Sequence, residues 1–213
     1  MPEQPRIFLA SRNAKKLREM ERILAPLVPG VQVLGLDDVA DYDEPVEDAP
    51  TFEGNALIKA RAGVAATGLP SLADDSGICV DALNGMPGVL SARWSGPPKS
   101  DQRNNELLLA QLSDVPDERR GGHFACAVAL CLPGGAEHVV EGRMDGRVIR
   151  ETRGSGGFGY DVLFVADGHQ RTTAELSVEE KDAISHRGKA MARMAPLVAA
   201  ALSPGRSSSP AAR

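Results

Sequence analysis

Two aspartates stand side by side in a short apolar run, Leu69-Pro70-Ser71-Leu72-Ala73-Asp74-Asp75-Ser76-Gly77-Ile78-Cys79-Val80. An apolar segment of this length bounded by Pro and Gly reads as a buried strand. A turn at Ser76-Gly77 would leave both carboxylates at the strand end. Adjacent like charges repel and lose solvation there, so something must compensate. A hard divalent cation does so most simply, since Mg2+ takes one or two carboxylates together with phosphate oxygens. The plainer reading is an Asx-turn in which Asp74 or Asp75 caps backbone N–H groups. This segment alone does not choose between the two.

The chain has 213 residues, enough for one domain of two lobes, and its 42% hydrophobic content supports a core. No window approaches the ~18 apolar residues of a membrane span. The opening Met1-Pro2-Glu3-Gln4-Pro5-Arg6 lacks the pattern of a signal peptide. Cys79, Cys126 and Cys131 are odd in number and without CxxC spacing, which argues against a disulfide or zinc site and fits a reducing cytoplasm. Cys126 and Cys131 should point to opposite faces of a strand. A net charge of −5 disfavours non-specific nucleic-acid binding but leaves room for a small anionic substrate. Charges are screened beyond ~8 Å at physiological salt, so local lysines matter more than the total.

Arg6 to Ala10 reads as a first strand, and Ala14 to Leu27 as an amphipathic helix ended by Pro26 and Pro29-Gly30. Val31 to Leu36 reads as a strand, followed by an acidic loop from Asp37 to Pro50. Thr51 to Ala66 reads as an alanine-rich helix closed by Gly68. After the aspartate strand come a Gly/Pro-rich passage and a helix near Asp101 to Leu112. His123 to Leu132 reads as a central strand. Val139 to Ile149 carries strand signals broken at Asp145-Gly146, a hairpin or bulge. Tyr160 to Val165 reads as a strand. The capping box Ser177-Val178-Glu179-Glu180 opens a last helix running to about Leu202, before a disordered Ser/Pro/Ala-rich tail over 203–213. Alternating helices and strands followed by clustered strands predict an α/β domain with a mixed sheet, spanning 1–202.

Four constellations can carry chemistry. Ser11-Arg12-Asn13-Ala14-Lys15-Lys16 lies between strand and helix, where free N–H groups and the helix dipole favour an anion. Simple N-capping before a solvated basic turn is the bland alternative. Gly154-Ser155-Gly156-Gly157-Phe158-Gly159-Tyr160-Asp161 matches GxGxxG, but a strand rather than a helix follows, which excludes a dinucleotide fingerprint. Its glycines admit close approach of a ligand, and an aromatic there can stack on a base. Equally, a Gly-rich turn can drop an aromatic into the core. Lys181-Asp182-Ala183-Ile184-Ser185-His186-Arg187 places Lys181 and Ser185 on one helical face, with His186 and Arg187 beside it. Such a cluster can hold phosphate or a carbonyl oxygen, or be a solvated face. Asn55 and Lys59 are i, i+4 on the alanine-rich helix, where they could also simply be exposed.

Together and in this order the motifs resemble the inosine triphosphate pyrophosphatase family. The matching pieces are Ser11-x-Asn13-x-x-Lys16, Thr51-Phe52-x-x-Asn55-Ala56-x-x-Lys59-Ala60, Ala73-Asp74-Asp75-Ser76-Gly77, Pro87-Gly88-x-x-Ser91-Ala92-Arg93-Trp94, Gly156-Gly157-Phe158-Gly159-Tyr160-Asp161 and Lys181-x-x-x-Ser185-His186-Arg187. Gly54 departs from the pattern, since many relatives carry an acidic residue there. The resemblance implies an elongated mixed β-sheet forming two α/β lobes around a central cleft, usually as a homodimer. It implies Mg2+-dependent hydrolysis of the non-canonical purine nucleoside triphosphates ITP, dITP and XTP to monophosphate and pyrophosphate. It assigns Ser11, Arg12, Asn13, Ala14, Lys15 and Lys16 to the triphosphate. Glu47 and Asp75 would bind metal, and Asp75 would also orient or deprotonate the attacking water. Ser76 and Lys59 would contact substrate. Phe158, Gly159, Tyr160 and Asp161 would meet the nucleoside, with Phe158 the stacker. Lys181, His186 and Arg187 would close over base and phosphates.

The chemistry agrees with these expectations. Attack at the α-phosphorus needs an oriented water, a cation and positive groups on the leaving pyrophosphate. No Walker A motif is present. A buried Arg187 or a backbone N–H aimed at the 6-oxo group would penalise adenine; guanine needs another device, such as exclusion of its 2-amino group. Two further readings stay open: a pyrophosphatase of broader or pyrimidine specificity, and a nucleotide-binding regulatory module without turnover. A membrane or nucleic-acid partner is not expected, and whether Asp74 or Asp75 handles the proton is left open.

Overall fold

A computed structural model of the chain describes residues 4–12 and 14–203. The elements run β1 (Arg6–Leu9), α1 (Ala14–Leu24), β2 (Gln32–Leu34), α2 (Phe52–Thr67), β3 (Ser71–Val80) and α3 (Asp101–Gln111). They continue β4 (Gly121–Cys131), β5 (Glu137–Val148), β6 (Phe164–Ala166), α4 (Val178–Ile184) and α5 (His186–Leu202). The strands form one six-stranded sheet in the order β2-β1-β3-β4-β5-β6. β2, β1 and β3 are parallel; β3, β4, β5 and β6 pair antiparallel. This is the mixed α/β architecture expected from the sequence. Among the described residues no helix is long and apolar enough to cross a membrane.

The helix signals act as local chemistry predicts. Thr51 caps α2 by accepting the Gly54 N–H on its hydroxyl, and Gly68 closes it at φ +68°. α2 lays Ala56 and Ala60 against Ala73, Ala127, Ala129 and Cys131, a seam of small side chains that brings helix and sheet close together. The opposite face of the sheet is covered by α1 and α5, whose Met20, Leu24, Met191 and Val198 join Ile7, Leu9, Leu72 and Val128. A further cluster gathers Ile78, Val80, Leu108, Phe124, Leu163 and Phe164. Each such fully buried large side chain contributes about 1.5–3 kcal/mol. Cys126 and Cys131 fall in different clusters on opposite faces, as their spacing predicts.

Several boundaries differ from expectation. No turn forms at Ser76-Gly77: β4 pairs every residue from Ser71 to Val80, so Asp74 and Asp75 lie mid-strand. β5 likewise runs through Asp145-Gly146 without a hairpin. Gly146 is required there because a Cβ would strike the Val165 carbonyl and approach the Phe164 ring to 2.7 Å. Gly159–Leu163 is a 3-10 turn, and strand begins only at Phe164. The helix expected from Ser177 to Leu202 is two helices: Ser185 is extended (φ −65°, ψ 149°) and caps α5 through Gly188 N–H. α1 ends at Leu24, ahead of Pro26, and Leu36 belongs to a 3-10 turn rather than to β2. The expected tail, beyond Ser203, and the expected phosphate ligand Asn13 lie outside the described residues.

Candidate active site

β1 accompanies β3 only at Ser71 and Leu72, so β3 has an edge without a strand partner beyond them. Its outward backbone groups are taken up by other elements. Asp74 O accepts from Lys59 Nζ at 2.7 Å, and Ser76 N–H donates to Asp75 Oδ1 at 3.0 Å. Ile78 N–H donates to Ser91 Oγ at 3.0 Å. The alternation of an extended strand then sends the two aspartates to opposite faces of the sheet beside this edge.

Asp74 faces α1 and α5. Lys16 Nζ donates to both its oxygens, at 2.7 and 2.9 Å. Arg187 donates to Oδ2 from Nε and Nη2, at 3.2 and 3.1 Å, and Nη2 also reaches Ser76 Oγ at 3.2 Å. Burial alone would raise the Asp74 pKa, but Lys16, Arg187 and Lys59 together hold it far below the usual carboxylate range. Asp74 is thus a buried anion fully engaged by two cations.

Asp75 faces α2. Asn55 Nδ2 donates to Asp75 Oδ2 at 3.0 Å, while Asn55 Oδ1 accepts the Ala49 N–H at 2.9 Å. This buried amide therefore ties the acidic loop to β3. Lys59 Nζ lies 3.1 Å from Glu47 and 3.9 Å from Asp75. Burial pushes the Asp75 carboxyl up; Lys59 and the Asn55 bond oppose it, and Glu47 adds to it. Among the described residues no group of three or more His, Cys, Asp or Glu side chains forms a metal cage. Glu47 and Asp75 would nevertheless offer carboxylates of the kind Mg2+ takes, one or two at a time, alongside phosphate oxygens and water.

On the Asp74 side opens a cavity of about 600 Å³. Lys16, Ser76, Phe158, Gly159, Tyr160, Asp161, Lys181, His186 and Arg187 all line it. Phe158 is 55% exposed, with Lys181 Nζ 5.0 Å and Arg187 Cζ 5.7 Å from its ring centroid. Tyr160 is buried, and its hydroxyl donates to Ser91 O at 2.9 Å, so its ring belongs to the core. The Asp161 carboxylate is buried and occupied: it accepts from Phe158 N–H, Thr173 Oγ1 and Lys181 Nζ. His186 stacks on Phe124 at 4.9 Å, and burial lowers its pKa to about 3. It is a neutral imidazole, not a third cation beside Lys181 and Arg187.

Glu47, Lys59 and Asp75 form the separate cluster on the other face of β3. Ser11 sits past the end of β1, its carbonyl accepting the Leu36 N–H at 3.3 Å, and Ala14 and Lys15 open α1. Arg12 is exposed and bonds Asp37 and Glu44, each at 3.0 Å, which turns it toward the acidic loop. Sequence reasoning did not assign Asp74 its two cations, nor Asn55 and Thr173 their supporting bonds. Asn55 had a visible signal in its i, i+4 relation to Lys59; the others are set by contacts distant in sequence.

Fold and site define an α/β protein that places cations and an exposed aromatic on one side of the β3 edge and a carboxylate pair on the other, an arrangement suited to a polyanion carrying a ring. The chain belongs to the Ham1 family, whose model matches residues 7–197. A relative from Nocardia farcinica, described as dITP/XTP pyrophosphatase, is 61% identical over 92% of this chain and 95% of its own length. A crystal structure of a nucleoside-triphosphatase, dITP/XTP pyrophosphatase, from Mycobacterium abscessus is 57% identical with a TM-score of 0.77, covering 90% of this chain and 99% of that one. A HAM1 protein from Coxiella burnetii is 40% identical with a TM-score of 0.81, over 91% and 98% of the two chains.

Proposed function

We propose that the chain is a nucleoside triphosphate pyrophosphatase that hydrolyses dITP, XTP and ITP to the monophosphate and pyrophosphate, so cleansing the nucleotide pool. The observation that carries this reading is the meeting, across the β3 edge, of the cation-lined cavity with the Glu47–Lys59–Asp75 cluster. The names of relatives above 50% identity supply the substrate class.

In this reading Phe158 stacks on the purine, and Lys181 and Arg187 close over base and phosphates. Lys16 and Lys59 take phosphate charge, with Ser11 to Lys16 cradling the chain and Ser76 contacting it. Glu47 and Asp75 would hold Mg2+, which supplies neutralisation of the triphosphate when bound. Asp75 orients a water in line with the α-phosphorus and accepts its proton on a carboxylate oxygen. A carboxyl raised by burial is a better base than an exposed one. The water oxygen bonds to the α-phosphorus, and the bond to the α–β bridging oxygen breaks as pyrophosphate leaves. A donor aimed at the 6-oxo group, from Arg187 or a backbone N–H, would favour hypoxanthine and xanthine over adenine. Neutral His186 offers hydrogen bonding without charge. The reading extends to a homodimeric cytoplasmic enzyme of one two-lobed domain over 1–202, supported by the family resemblance.

The test is product analysis with Mg2+ on dITP, XTP, dGTP and dATP. Pyrophosphate should appear from dITP and XTP, with dGTP and dATP at least ~100-fold slower. Orthophosphate as first product would refute the reaction. Tight binding without turnover would make the chain a regulatory module.

A further inference from the structure

Phe158 and Gly159 form a turn at the cavity rim, and its polar backbone atoms are gripped by side chains. Asp161 Oδ2 accepts the Phe158 N–H at 2.8 Å. Asp101 Oδ2 accepts the Gly159 N–H at 2.7 Å, and Asn105 Nδ2 donates to the Gly159 carbonyl at 3.0 Å. Asp101 and Asn105 stand four residues apart on α3 and so share a face. They hold both polar groups of one residue.

α3 is itself fixed. Asn104 Oδ1 accepts the Ser95 N–H at 2.8 Å, and its Nδ2 reaches Ser91 O and Ala92 O, each at 3.4 Å. The Tyr160 hydroxyl ends on the same Ser91 carbonyl. The turn is therefore tied on both sides to one frame. Gly159 adopts φ +60°, and a Cβ there would meet open space, so close packing does not dictate the glycine. Water could satisfy a rim peptide with little loss, so the gain from two ordered side chains is chiefly position. What they position is the Phe158 ring, the exposed aromatic of the cavity.

We propose that Asp101, acting with Asn105, is a positioning residue that sets the Phe158 ring for the purine and thereby governs nucleotide affinity. This rests on the reading of the cavity as a purine nucleotide site. The pair grips the base-stacking turn, whereas the carboxylates are held by α2, so its loss falls on KM rather than kcat.

The experiment is steady-state kinetics on dITP with the full chain, comparing Asp101→Ala, Asp101→Asn, Phe158→Ala and the Asp101→Ala/Phe158→Ala double variant. Asp101→Ala should raise KM about tenfold with kcat within about twofold. Asp101→Asn, whose amide oxygen still accepts the Gly159 N–H, should restore KM. In the Phe158→Ala background the Asp101→Ala change should move KM less than about twofold, because it acts through the ring. Equal KM effects in both backgrounds, or an Asn variant as impaired as the Ala variant, would overturn the proposal. Should Asp101→Ala fail to fold, Asp101→Ser keeps a polar residue in the first turn of α3 but falls short of Gly159, and the same outcomes apply. An inactive wild-type chain on dITP would overturn the nucleotide reading, and this inference with it.

Discussion

Neighbouring residues on an extended strand project to opposite faces, so Asp74 and Asp75 meet different chemistry although one peptide bond joins them. Asp74 is clamped by Lys16 and Arg187; Asp75 stands beside Asn55, Lys59 and Glu47. Asp75→Asn should therefore abolish turnover, by more than about 10³-fold, while nucleotide still binds. Turnover near wild type would remove Asp75 from its role. Asp74→Asn should act differently, costing about 3 kcal/mol of stability because two cations lose their buried partner. An unchanged denaturation midpoint would contradict that account. The sequence displayed the pair but read it as a strand end, since Ser76-Gly77 looks like a turn. Gly77 marks a close approach instead: a Cβ there would strike Ser91 Oγ and sit 2.5 Å from the Gly88 carbonyl. His186 carries a pH consequence. Its pKa falls from 6.5 to about 3 on folding, chiefly through burial, so folding favours the neutral ring. This stability is complete above about pH 6.5 and declines toward pH 3 as the unfolded chain takes up the proton, by up to ~1.4 kcal/mol per pH unit. Urea titrations between pH 7 and 4 should show a slope that His186→Gln reduces; equal slopes would contradict the buried neutral ring.

At the level of elements, the placement of Arg187 depends on how α5 meets β5. Gly142 on β5 lies against the first turn of α5, where a Cβ would strike the His186 carbonyl and approach Ala190 N to 2.7 Å. Gly142→Ala should push that turn outward, costing about 1–3 kcal/mol and raising KM through displaced Arg187. A thermal melt and dITP kinetics check this, and wild-type behaviour in both would show that the interface yields. The helices themselves were legible from alanine content, caps and prolines. The break at Ser185 was not, because Ser-His-Arg carries no helix breaker and the signal is only a serine three residues before Gly188. β5 was misread at Asp145-Gly146 for a related reason. That glycine makes room for β6, a partner brought in from a distant part of the sequence.

Over the whole molecule, the proposed site depends on β1 ending early. Because β1 leaves β3 after Leu72, no strand runs beside the edge at Asp74 to Ser76, and α1, α2 and α5 each bring a cation there: Lys16, Lys59 and Arg187. Sequence motifs placed most of these residues in one site through family resemblance. They did not show that the cavity and the carboxylate pair lie on opposite faces of one strand, which follows from side-chain alternation in a strand that runs on through Ser76-Gly77. On the proposed reading, a triphosphate crossing that edge would present its α-phosphorus to Asp75 while its base stays with Phe158. Hydrolysis of dITP in 18O-labelled water tests this directly. The label should appear in the monophosphate, with unlabelled pyrophosphate; label in pyrophosphate or orthophosphate would place the attack on another phosphorus and contradict the arrangement described.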